Sequence, residues 1–192
     1  MTVEYEAKFL DIDKEALVTK LQKEGAILQR AEYLQRRVTF NLPKEKRFDH
    51  TWLRVRDEGD KVTLALKSVR GSAITDQKET LVTVDSFEDI VTLLEAVGCE
   101  RKSYQESKRE LWMLGSTEIA IDTWPFLEPF VEIEGTSEKT VMDVAAKLGF
   151  NYEEAVFGTV NEVYKRRYGK TLDEMEEKVL KKFTFEVSNP FF

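Results

Sequence analysis

Val3-Glu4-Tyr5-Glu6-Ala7-Lys8-Phe9 alternates without a break. Successive side chains of a strand point to opposite faces, so Glu4, Glu6 and Lys8 share one face and Val3, Tyr5, Ala7 and Phe9 share the other. One such stretch reads as a half-buried strand with its charges in water. Later stretches repeat the arrangement with charges of chosen sign, and that repetition decides the fold.

Residues 33–40 read as a strand with Gln35, Arg37 and Thr39 on one face. Residues 52–56 place Trp52, Arg54 and Arg56 together. After a turn at Glu58-Gly59-Asp60, residues 61–67 return with Val62, Leu64 and Leu66 opposite Thr63, Ala65 and Lys67. Residues 77–84 set Glu79 against Thr80, Val82 and Val84. Residues 103–114 contain Lys108-Arg109, and residues 117–124 group Glu118, Ala120 and Asp122. Residues 130–134 oppose Glu132 and Glu134 to Val131 and Ile133. The helical segments are 11–24, 86–97 and 137–148, stopped by Gly25, Gly98 and Gly149, then 153–168 and 172–182. Residues 44–49 form a charged loop, and residues 183–187 a last short strand.

Composition bounds the function. A chain of 192 residues with 42% hydrophobic and 34% charged content fits one domain, residues 1–192, with C-terminal helices from about residue 151. No run approaches the length of a transmembrane helix, so no membrane partner is expected. The N-terminus shows no basic-then-apolar leader, which points to a cytoplasmic protein. A net charge of −7 argues against general binding to nucleic acid or anionic lipid. One cysteine, Cys99, and one histidine, His50, cannot build a Cys- or His-rich metal site. Any metal is held by oxygen ligands, which favours Mg²⁺, Mn²⁺ or Ca²⁺.

The charged parities collect onto one side of nearly every strand. If the sheet stays open, they form a solvated surface. If it curls into a barrel, helices cover the apolar outside and the charges line an interior. The apolar stripes of the helices need a partner, and the apolar strand faces supply one. A mixed charged interior needs compensation, which a polyanion with divalent cations completes. On the pattern alone, a phosphate-binding tunnel and a salt-bridged surface are the two readings.

Glu4-x-Glu6-x-Lys8 resembles the ExExK signature of the CYTH family, the triphosphate tunnel metalloenzymes. Further similarities follow in family order: Leu53-Arg54-Val55-Arg56, Thr63-Leu64-Ala65-Leu66-Lys67, Glu79, Lys108-Arg109 with Trp112, Ile121-Asp122, Phe130-Val131-Glu132-Ile133-Glu134 and Tyr164. The resemblance covers about residues 3–168. It implies an α+β fold: an eight-stranded antiparallel β-barrel, the triphosphate tunnel, with helices packed on the outside. It implies a Mg²⁺ or Mn²⁺ site at Glu4, Glu6, Asp122, Glu132 and Glu134. The phosphates would be gripped by Lys8, Arg54, Arg56, Lys67 and Arg109. Arg37 joins this set on parity, although it stands where the family commonly has an acidic residue. Glu79 would orient a basic neighbour or a water, making the catalytic set Glu4, Glu6, Lys8, Lys67 and Glu79. Lys108 is off the parity of Arg109 and would reach a tunnel only through a bulge.

The family divides into triphosphatases, acting on tripolyphosphate, thiamine triphosphate or nucleoside triphosphates, and class IV adenylate cyclases. The run His50-Thr51-Trp52-Leu53-Arg54-Val55-Arg56 resembles that of animal thiamine triphosphatases, and Trp52 could stack on an organic ring. The N-terminus lacks the histidine-containing extension associated with the cyclases. The expectation is a metal-dependent triphosphatase acting on a small-molecule triphosphate, as monomer or homodimer. An adenylate cyclase is the enzymatic alternative, and a non-catalytic polyphosphate-binding module is the other.

Overall fold

Glu4 divides the first strand in two. β1 (Thr2–Val3) pairs antiparallel with β6 (Gln77–Val84), while β2 (Tyr5–Phe9) pairs antiparallel with β9 (Phe130–Gly135). Between these edges lie β5 (Val62–Val69), β4 (Thr51–Asp57), β3 (Ile27–Asn41), β7 (Glu100–Leu114) and β8 (Thr117–Thr123), in the order β1-β6-β5-β4-β3-β7-β8-β9-β2. The two ends of the sheet therefore meet at consecutive residues of the chain. The Glu4 N–H donates to the Gln77 carbonyl at 3.0 Å, on the β6 side of that junction. The outcome is a nearly closed antiparallel barrel, described by a computed structural model for residues 1–48, 50–178 and 181–191.

Ten strand segments stand where eight were expected. The first strand counts twice because it changes partner at Glu4. The tenth segment, β10 (Lys182–Phe183), adds itself parallel to β7 and is shorter than the expected 183–187 strand. β3 and β7 are also longer than their sequence signals, at 15 residues each. Their pairing runs almost their whole length, with register shifts between Leu28 and Arg30 and between Arg30 and Tyr33. These irregularities break the alternation that marks a strand in sequence. Lys108 lies on the outer face, 4.0 Å from Glu32, and no bulge turns it inward.

The helices cover the outside. α1 (Lys14–Lys23) is capped by Asp13, which accepts from the Ala16 N–H, and α3 (Glu138–Leu148) by Ser137, which accepts from the Thr140 N–H. Leu17 and Leu21 of α1 and Val141, Val144, Ala145 and Leu148 of α3 pack with Ala7, Phe9, Ile119, Ile121, Val131 and Ile133. α2 (Phe87–Ala96) covers Val38, Phe40 and Val55 with Phe87, Val91 and Leu94. Burying this apolar strand face leaves the opposite parity no place but the interior.

The helix expected over 153–168 begins only at Val160, as α4 (Val160–Tyr168). Val156 instead pairs as an extended bridge with Lys8, with N–H to carbonyl bonds of 2.9 Å in both directions. Gly158, at φ +94°, then turns the chain into the helix. α4 and α5 (Leu172–Lys178) join Trp124, Phe130, Phe183 and Phe191 in a separate aromatic cluster. The Tyr164 hydroxyl, fully buried there, donates to the Pro125 carbonyl at 2.7 Å. Asp49 of the expected loop and residues 179–180 of the last expected helix lie outside the described residues.

Leu21 has no exposed surface and joins α1 to the barrel. Leu21→Ala is expected to cost about 2–5 kcal/mol in denaturant unfolding, the range for emptying a buried leucine site. A change below about 0.5 kcal/mol, typical of exposed positions, would show that α1 does not anchor the barrel.

Candidate functional site

Every residue nominated from the sequence lines one cavity of about 1080 Å³ inside the barrel. Asn161, Glu162 and Lys165 of α4 and Asp173 of α5 border the same cavity, so the C-terminal helices form part of its wall. The charges are not mixed evenly. Strand register sorts them into an acidic wall and a basic wall.

The acidic wall spans β2, β9 and β8. Glu6 lies directly opposite Glu134, and Glu118 lies opposite Glu134 from the other side. Like charges placed across a ladder repel. Burial raises the Glu134 carboxyl, and Glu6, Glu4 and Glu118 raise it further, to about 8. Two register positions along, on the same face, Lys8 lies opposite Glu132. Lys8 is 2% exposed, pairs with Glu6 and with Glu132 at 3.4 Å, and donates to the Gly158 carbonyl at 2.6 Å. Burial alone would raise the Glu132 carboxyl, but Lys8 and Arg109 outweigh it and hold the group at about 2.

The basic wall spans β3 and β4. Arg37 lies directly opposite Arg56, and Arg54 follows two residues before Arg56 on the same face. Arg54 pairs with Glu79 at 3.1 Å, and Arg56 with Glu58 at 2.7 Å. Burial lowers Arg54, and Arg56 lowers it further, to about 10. Arg37 is 6% exposed and has no carboxylate in ion-pair distance among the described residues. It donates to Gln35 Oε1 at 2.9 Å and to the Ser107 hydroxyl, and stacks 4.3 Å over the Trp124 ring.

Two further cations are held by carboxylates. Lys67 reaches Glu4 at 2.9 Å and Glu79 at 3.5 Å. Arg109 holds Asp122 through two bonds, Nε to Oδ1 at 2.7 Å and Nη2 to Oδ2 at 2.6 Å, and reaches Glu132 at 2.5 Å. Asp122 thus sits on a guanidinium in this arrangement, and Arg109 is already neutralised by carboxylates. Trp52 and His50 also line the cavity, Trp52 beside Lys67 across the β4–β5 ladder.

Sequence reading missed several lining groups. Glu58, part of the expected Glu58-Gly59-Asp60 turn, continues the parity of Arg54 and Arg56 and is 4% exposed. Gln77 continues the parity of Glu79 and donates to Glu4 Oε2 at 2.9 Å. Trp124 continues the parity of Asp122. In each case the signal was present at a strand end.

The carboxylates suit a divalent cation by their chemistry: all donors are oxygen, and Glu134 is crowded by its neighbours. Among the described residues, no three or more His, Cys, Asp or Glu side chains are grouped so as to hold an ion as they stand. Mg²⁺ is commonly bound through one or two carboxylates with phosphate oxygens and waters completing the shell, so an incomplete protein shell fits this chemistry. Among the described residues, no helix is long and apolar enough to cross a membrane.

A CYTH domain family model matches residues 2–163. A comparison with curated proteins found no match. Among solved structures, the chain is similar to the PH1012 protein of Pyrococcus horikoshii, with 22% identity, TM-score 0.66 and coverage of 79% of this chain and 93% of that one. It is similar to a putative adenylate cyclase of Vibrio parahaemolyticus, with 12% identity, TM-score 0.72 and coverage of 85% and 98%. It is also similar to HpAC1 of Hippeastrum, described as a putative adenylyl cyclase with a dominant triphosphatase activity, with 15% identity, TM-score 0.56 and coverage of 88% and 97%.

The crowding of Glu134 has a pH signature. A carboxyl held at about 8 in the folded chain, against 4.5 ordinarily, keeps a proton that the unfolded chain releases. Its contribution is complete below the unfolded value and is lost as pH rises through the folded one. In metal-free protein, the melting temperature of the wild type should therefore fall relative to Glu134→Gln between about pH 5 and about pH 9. Parallel curves for the two proteins would show that Glu134 is not crowded.

Proposed function

The chain belongs to the CYTH family, and from that premise we propose that it is a metal-dependent triphosphatase acting on a small-molecule triphosphate. On this reading β1 and β2 are halves of one strand and the tunnel has eight walls. The observation that carries the proposal is the sorting of charge: a crowded acidic row, Glu6–Glu134–Glu118, and a crowded basic row, Arg37–Arg56–Arg54, face one cavity. A cation relieves the first and a polyanion the second. The triphosphatase activity described for the Hippeastrum protein supports the hydrolytic choice.

The residues would divide the work as follows. Arg54, Arg56, Lys67, Lys8 and Arg109 bind and orient the phosphate chain, the arginines through planar two-point contacts. Glu79 holds Lys67 and Arg54 in place. Glu4, Glu6, Glu132 and Glu134, with Asp122 beside them, would hold Mg²⁺ or Mn²⁺ on the acidic side. When bound, such an ion neutralises phosphate charge and eases deprotonation of a water. The reaction is in-line displacement at the terminal phosphorus, so the chain's contribution is orientation and charge stabilisation. Trp52, lining the same cavity beside Lys67, offers a face for an organic ring.

Product analysis tests the proposal. Tripolyphosphate, thiamine triphosphate and ATP, each with Mg²⁺ and then Mn²⁺, should release orthophosphate from at least one substrate. Cyclic AMP with pyrophosphate from ATP would replace it with the cyclase reading, and binding without any product would leave a binding module. Trp52→Ala should impair organic triphosphates more than tripolyphosphate. Equal loss for both would make Trp52 a packing residue.

A further inference from the structure

β6 carries a feature that neither the barrel nor the cavity explains. Thr80, Leu81, Val82 and Thr83 are all exposed, although successive side chains point to opposite faces. Leu81 is 50% and Val82 49% exposed, whereas Ala65, directly across the β5–β6 ladder from Leu81, has no exposed surface. Exposure of both parities at once marks a free edge. β1 accompanies β6 only at Lys78 and Glu79, opposite Val3 and Thr2. Beyond Glu79, no strand pairs with β6 on that side among the described residues.

Backbone direction along β6 follows from its bonds to the first strand. The Gln77 carbonyl accepts from the Glu4 N–H at 3.0 Å and the Glu79 carbonyl from the Thr2 hydroxyl at 3.3 Å, so odd-numbered residues of β6 turn their polar groups to that side. Leu81 and Thr83 therefore present N–H and C=O groups that have no ladder partner among the described residues. Proteins usually blunt such an edge with a lysine, a proline or a bulge. Thr80-Leu81-Val82-Thr83-Val84 contains no charge and no proline in a chain that is 34% charged, and the β5–β6 register runs without a shift. The charges stand at the two ends instead. Glu79 turns inward to Arg54 and Lys67, which leaves Lys78 as the outward charge before the segment. Asp85 and Asp89 follow it, both exposed.

We propose that this edge is an interface with a second copy of the chain, the two β6 strands pairing antiparallel about Val82. A two-fold axis at that point sets Leu81 of each copy opposite Thr83 of the other, so the outward N–H and C=O groups of both residues find their counterparts. Val82 meets Val82 of the other copy on the outer face, and Leu81 packs beside Thr83 on the inner one. The antiparallel sense also carries Lys78 of each copy to the acidic end, Asp85 and Asp89, of the other, so the charge is matched twice. That match selects a second copy over an unrelated strand, because the segment complements itself in backbone, side-chain polarity and charge. The interface does not depend on the triphosphatase reading: Trp52 lies across from Lys67 at one end of β5, and Val82 across from Leu64 toward the other.

The test is sedimentation velocity of the full chain over a range of concentrations, with cysteine crosslinking as an independent reading. The wild type should pass from monomer to dimer as concentration rises. Val82→Lys sets like charges across the axis and should weaken association roughly ten-fold or more, since like charges directly opposite oppose pairing. Thr83→Pro removes one outward N–H, leaves the β5 ladder whole and should also weaken association, and it serves if the lysine variant does not fold. Val82→Cys should form a disulfide-linked dimer on oxidation, because facing strand positions lie within disulfide reach and the native Cys99 is buried. Leu93→Cys, comparably exposed but on α2, should crosslink far less. A wild type that stays monomeric throughout, a dimer unaffected by Val82→Lys and Thr83→Pro, or equal crosslinking of the two cysteine variants would each overturn the interface. So would a different protein bound along β6 by a chain that never self-associates.

Discussion

The structure depends on the cost of enclosing charge. A nearly closed barrel normally fills its inside with apolar side chains. Here the apolar parity is turned outward, where Leu17, Leu21, Val141 and Ala145 cover it, and the interior is left to lysines, arginines and carboxylates. Uncompensated, such an interior would be strongly unfavourable. Compensation is partial. Lys67, Lys8 and Arg109 are paired within the cavity, whereas Arg37 has no carboxylate in ion-pair distance among the described residues and Glu134 is crowded by carboxylates. The residual imbalance, positive on one wall and negative on the other, is what gives the cavity its chemistry.

Strand pairing decides where each imbalance falls. Alternation alone places Glu6, Glu118 and Glu134 inside, but the β2–β9–β8 register sets them side by side. The same holds for Arg37 and Arg56 across β3–β4. A slip of one residue would send either set to the outside. The helices fix that register because their apolar faces accept only the apolar parity of the strands. Outer packing and inner electrostatics are thus two consequences of one alternation.

Much of this was legible from the chain. Period two identified the inward faces, glycine stops marked the helix ends, and the order of charged strands pointed to a tunnel. Three things were not. The split of the first strand at Glu4 depends on closure, which no local pattern encodes. The early part of β3 is irregular in register and exposes Ile27 and Leu28, so it lacks a strand signature. Val156 pairs with Lys8 through backbone atoms, which leaves no mark on side-chain type. The pairing of particular charges, such as Asp122 with Arg109, was likewise hidden because it follows from the three-dimensional stagger of strands.

The most direct measurement is thermal unfolding of the full chain with Mn²⁺ alone, with tripolyphosphate alone, and with both. A cavity whose walls carry opposite uncompensated charge should be stabilised by each ligand, and by the pair more than by the sum, since each anion–cation contact adds to the other. Absence of any shift with either ligand would contradict the central claim that the barrel encloses charge held for a metal and a triphosphate.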